Sequence, residues 1–97
     1  MIRHTVLFRW KAEATEDDKQ QAANEVAKLP SMVPSIRAFA SGGDAGLAEG
    51  NYDFAVTADF EDQTGYFEYR DDPGHREIIK QYIVPLAASR VAVQFEF

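Results

Sequence analysis

IRHTVLFRWK, residues 2–11, alternates between two kinds of side chain. Ile2, His4, Val6, Phe8 and Trp10 fall on one side, and Arg3, Thr5, Leu7, Arg9 and Lys11 on the other. A period of two is the signature of a β-strand, here with one strongly apolar face. YDFAVTADFED, residues 52–62, repeats it, with Tyr52, Phe54, Val56, Ala58 and Phe60 set against Asp53, Ala55, Thr57, Asp59 and Glu61. SIRAFAS (35–41) and SRVAVQFEF (89–97) predict two more strands, the last with Val91, Val93, Phe95 and Phe97 in one row.

Between the strands the period lengthens. Thr15 followed by Glu16, Asp17 and Asp18 marks a helix start, because a hydroxyl caps free N–H groups and carboxylates suit the positive end of the helix dipole. Ala22, Ala23, Val26, Ala27 and Leu29 form its apolar stripe, and Pro30 is expected to end it. A short helix over 62–70 carries Tyr66, Phe67 and Tyr69. Asp72 caps a further helix with Pro73 at its first position, where a missing N–H costs nothing. His75, Ile79, Tyr82 and Leu86 share a face of that helix. The order β-α-β-β-α-β predicts an α+β, ferredoxin-like fold: a four-stranded antiparallel sheet with its helices on one face. The whole of 1–97 reads as one domain.

Composition narrows the function. The chain has 45% hydrophobic residues, 12% aromatics and no cysteine. This is a globular composition without a disulfide framework or thiolate site, and it suits a reducing cytoplasm. Arg3, His4 and Arg9 interrupt the apolar start, so no signal peptide is expected. No run approaches the roughly 20 apolar residues that span a bilayer. Sixteen acidic against ten basic residues leave a net charge of -6, the wrong sign for a nucleic-acid partner. The glycine-rich connection GGDAGLAEGN (42–51) lacks GxGxxG and GK[ST], so it is not read as a phosphate loop. The acidic runs are accounted for by capping and nothing resembles H-E-x-x-H, so no metal and no cofactor is expected. No nucleophile-elbow motif is present.

If the apolar rows face the helices, the opposite sheet face carries Thr5, Leu7, Phe39, Ala55 and Thr57. Such a half-apolar surface predicts a partner sheet packed against it. Arg3, Arg9 and Arg37 share that side with Asp53, Asp59 and Glu61, so ion pairs across strands or subunits are available.

IRHTVLFRWK, YDFAVTADFED, YRDDPGH and VAVQFEF together resemble the stress-responsive A/B barrel (Dabb) domain family over essentially the whole chain. The first-strand histidine and the Pro-x-His at a helix start are the most specific parts. The resemblance implies ferredoxin-like subunits paired as homodimers whose sheets close into one α/β barrel. Plant polyketide cyclases of this family have a pocket between sheet and helices. They use a tyrosine six residues before the Pro-x-His histidine, together with that histidine. The matching residues are Tyr69 and His75, and His4 matches the first-strand histidine. A further third-strand histidine of the cyclases is replaced by Phe54, so their full set is not present. The expected pocket lining is Val6, Phe8, Phe54, Val56, Ile79 and Tyr82.

Three functional readings follow. The first is an acid–base enzyme of cyclase or lyase type acting on a small apolar carbonyl compound, with His75 as base, Tyr69 as donor to an enolate oxygen and His4 as orienting group. The second is a non-catalytic stress-response or ligand-binding protein. The third is a cofactor-free monooxygenase.

Overall fold

The alternating residues of the N-terminus form strand β1, Ile2–Trp10, at the interior of a four-stranded sheet. A computed structural model describes residues 1–97. The elements that follow are α1 (Glu16–Val26), a single turn α2 (Leu29–Met32), β2 (Ile36–Gly43), β3 (Phe54–Phe60), α3 (Gln63–Asp71), α4 (Pro73–Ile78) and β4 (Ala87–Glu96). A π-helical turn, Ile79–Ile83, continues α4. The sheet order is β2-β3-β1-β4 with every pair antiparallel. This is the ferredoxin-like α+β arrangement.

Capping sets the helix starts. Thr15 Oγ1 accepts from the Asp18 N–H at 3.1 Å, and Asp18 Oδ2 accepts in return from the Thr15 N–H at 3.3 Å. This reciprocal pair satisfies two otherwise free donors. Pro30 does not end α1. The helix stops at Val26, and Pro30 lies in the first turn of α2, where it removes no helical hydrogen bond.

The inner row of β1 is buried as its pattern requires: Ile2, His4, Val6 and Phe8 are each 8% exposed or less. Phe54, Val56, Ala58 and Phe60 of β3 join them, and Val26, Leu29, Tyr69, Ile78 and Ile83 close the core from the helices. His4 is the one histidine inside this core.

Two expectations about the other face are corrected by register. Directly paired residues on neighbouring strands point to the same side of a sheet. Between Ile36 and Ala38 the β2–β3 register slips by one residue, a β-bulge at Arg37. Phe39 therefore pairs with buried Ala58 and turns toward the helices, not the open face, and it packs against the core. On β4 the correction runs the other way. Val91 pairs with Leu7, Val93 with Thr5 and Phe95 with Arg3, so this row faces the open side, where the three residues are 44–56% exposed. Their neighbours Arg90, Ala92 and Gln94 pair with Phe8, Val6 and His4 on the helix side.

The open face thus carries Thr5, Leu7, Ala55 and Thr57 together with Val91, Val93 and Phe95. Arg3 makes a two-pronged bond to Asp59 at 2.7 and 2.9 Å, and its guanidinium lies 4.4 Å from the Phe97 ring centre. The hydrogen bond from Arg3 holds the Asp59 carboxyl below its ordinary range. Arg37 reaches Glu61 at 3.4 Å. Arg9 lies over the Tyr52 ring, whereas Asp53 accepts from the Trp10 N–H at 2.8 Å.

Candidate functional site

Asp72 terminates α3 and starts α4. Its backbone is extended, and its Oδ2 accepts the His75 N–H at 2.9 Å. The cap and the fixed φ of Pro73 place His75 in the first turn, back against the end of α3. There its imidazole stacks on Tyr69, with ring centroids 4.0 Å apart and planes inclined by 27°. His4 approaches from the sheet, 5.8 Å from the Tyr69 ring and 5.3 Å from that of Tyr66.

The three residues singled out in the sequence line one cavity of about 100 Å³ between sheet and helices. Val6, Phe8, Val56 and Ile79 line it too, with Val26, Leu29, Tyr66, Arg70 and Arg90. Phe54 and Tyr82 do not. Phe54 is inward-facing but sits near the strand end that adjoins Trp10, 5.6 Å from that ring, and borders two other clefts. Tyr82 lies in the π-helical turn and packs half-buried against the core. A wider depression of about 500 Å³ near the glycine-rich connection has one carboxylate, Asp44, and no histidine. No group of three or more histidines and carboxylates is gathered anywhere to hold a metal ion.

Burial sets the protonation states. It pushes His4 down to about 4, with Arg90 and His75 adding in the same direction. Gln94 Nε2 stands 2.8 Å from His4 Nδ1, and with the amide donating, the neutral ring carries its proton on Nε2. Burial also lowers His75, although the backbone carbonyls of Tyr69 and Arg70 and the carboxylate of Asp72 oppose it. His75 Nδ1 is buried without a hydrogen-bond partner. Burial raises Tyr69 to about 12, helped by Tyr66 and opposed by Arg90. At neutral pH the cavity therefore holds two neutral imidazoles and an intact phenol: a proton acceptor beside a hydrogen-bond donor.

The model of the Stress Responsive A/B Barrel Domain (Dabb) matches residues 2–97. The chain belongs to this family.

A dimeric ferredoxin-like protein of unknown function from Thermobifida fusca is 46% identical, with a TM-score of 0.91 over 99% of this chain and 90% of that one. A Dabb family protein from Mesorhizobium loti is 23% identical, with a TM-score of 0.83 over 99% of this chain and 95% of that one. A hydroxynitrile lyase from Passiflora edulis is 18% identical, with a TM-score of 0.84 over 97% of this chain and 90% of that one. At those last two identities the likeness is one of fold. No curated protein matches the chain. No helix of this Dabb domain is long and apolar enough to cross a membrane.

Sequence reasoning missed Tyr66, Gln94 and Arg90 as neighbours of the site. Tyr66 was within reach, since it stands one helical turn before Tyr69 and shares its face. Gln94 and Arg90 were hidden by assigning the apolar row of β4 to the inside.

Proposed function

We propose that this Dabb protein is a homodimer whose subunits each bind a small carbonyl compound and move a proton within it by acid–base chemistry. The observation that carries this reading is the stacked pair of His75 and Tyr69 on the wall of one cavity with His4. His75 would take a proton from the carbon next to the carbonyl. The C–H electron pair then forms the enolate, and the Tyr69 hydroxyl donates a hydrogen bond to the developing oxyanion. Asp72 and the carbonyls of Tyr69 and Arg70 favour the imidazolium that results. Return of the proton to carbon restores the base. His4, with Nε2–H available, orients the substrate.

The dimer reading rests on the open sheet face. Val91, Val93 and Phe95, around half exposed, extend the row begun by Thr5, Leu7, Ala55 and Thr57. A contiguous apolar face of this kind calls for a partner. The dimeric Thermobifida fusca relative supports a second copy as that partner. The hydroxynitrile lyase supports catalysis on this fold by analogy only. The lack of cysteine suits a reducing compartment such as the cytoplasm.

The cavity's size favours one alternative, a stress-response or binding protein without turnover. At about 100 Å³ it is below the roughly 300–1,000 Å³ of common ligand pockets. One experiment separates the readings. Acetone, 2-pentanone and 4-oxopentanoate are incubated with the protein in D2O, and deuterium at the α-carbons is followed by mass spectrometry. Proton transfer predicts protein-dependent incorporation that His75→Ala removes. Saturable binding with incorporation no faster than in buffer would leave the binding protein.

A further inference from the structure

Of the six arginines in the chain, five are engaged. Arg3 is paired with Asp59, Arg37 with Glu61, and Arg70 and Arg76 with Asp71. Arg9 donates to the Gly50 carbonyl and covers Tyr52. Arg90 alone takes part in none of these ion pairs or hydrogen bonds. It nevertheless lines the cavity that holds His4, Tyr69 and His75. It reaches there because its position on β4 pairs with buried Phe8, on the helix side of the sheet, while the edge strand leaves it exposed at the mouth.

No carboxylate answers it. The cavity lining contains two arginines and neither aspartate nor glutamate. Arg70, the other cation, is already held by both oxygens of Asp71, at 2.9 and 3.0 Å, and lies over Phe67. The result is an apolar chamber, with a hydrogen-bond donor and a proton acceptor inside and one unpaired guanidinium at its entrance. A guanidinium fork matches a carboxylate in geometry as well as charge.

We infer that the substrate is a short oxo acid, with its ketone or aldehyde against Tyr69 and His75 and its carboxylate bound by Arg90 at the mouth. This rests on the reading of the cavity as a carbonyl site and names the class of compound it takes. The volume agrees, being somewhat smaller than the roughly 150 Å³ that accepts benzene in an engineered core. The chamber therefore holds the carbonyl end of a short chain and leaves a charged end outside.

The test compares 4-oxopentanoate with 2-pentanone, which lacks the carboxylate. Affinities are read from shifts of the His4 and His75 ring signals in NMR titrations of the full-length protein. The oxo acid should bind at least tenfold more tightly, and Arg90→Gln should erase that difference while Arg37→Gln retains it. Equal affinities in the unmodified protein, or a preference that survives Arg90→Gln, would overturn the inference. Deuterium exchange separates it from the proton-transfer reading. Exchange with no preference for the acid sinks the oxo-acid inference alone. A preference lost in Arg90→Gln, with no exchange, supports the oxo-acid inference and removes catalysis.

Discussion

Tyr69 and His75 lie on two different helices, yet their rings are stacked at 4.0 Å. Five residues separate them, and the extended backbone of Asp72 folds that interval back on itself. The carboxylate of Asp72 then locks the turn by accepting the His75 N–H. The donor and the acceptor of the proposed chemistry are thus aligned by one capping residue.

Asp72→Ala should therefore harm activity more than stability. Loss of an N-cap costs about 1 kcal/mol. The first turn of α4 carries His75, so deuterium exchange should fall by an order of magnitude or more. Asp72→Asn, which still caps, should restore most of it. Equal exchange rates for Asp72→Ala and the unmodified protein would separate the cap from the chemistry.

Stability should decline in mild acid because of His4. Its value falls from 6.5 in the open chain to about 4 in the fold. Between those values the unfolded chain binds the proton and the folded one does not, so stability rises with pH across the window. The contribution is complete above pH 6.5 and is lost as pH falls toward 4. With each unit worth 1.36 kcal/mol, it amounts to about 3 kcal/mol. Denaturant titrations at pH 7 and 4.5 should show this loss, and His4→Gln should flatten it. An unchanged slope in that variant would place the acid sensitivity elsewhere.

The open face should hold two copies together. Val93 pairs with Thr5, which also pairs with Thr57, so these residues form a row across three strands. Val93→Asp should convert the dimer to monomer, because an unpaired buried charge costs several kcal/mol. Sedimentation should give twice the 10.9 kDa subunit mass for the unmodified protein and the subunit mass for the variant. A monomer in both cases would remove the dimer from the account.

Much of this architecture was legible because local rules agree. The strict alternation of residues 2–10 and 54–60 and the caps at Thr15 and Asp72 all point to elements that are observed. Phe39 and the β4 row were misplaced because facing depends on register, not on pattern. A single bulge at Arg37 turns Phe39 inward. For β4, the apolar residues lie on the open face and not on the helix side, so hydrophobicity alone pointed the wrong way. The site was half legible for the same reason. His4, Tyr69 and His75 carried recognisable spacing, whereas Arg90 enters only through the pairing of β4 with β1.

The central claim is that His75 is a neutral base facing the bound carbonyl group. With two histidines in the chain, single substitutions assign their ring signals unambiguously. The direct measurement is a 15N NMR titration of the His75 ring, free and in the presence of 2-pentanone or 4-oxopentanoate. Burial lowers its folded-state value, so the ring should remain neutral at pH 6.5 and gain its proton only below that. Its signals should also move as ligand is added, and the acid limb of deuterium exchange should follow the same titration. A His75 ring half-protonated at pH 6.5 or above, with signals indifferent to both compounds, would contradict the account.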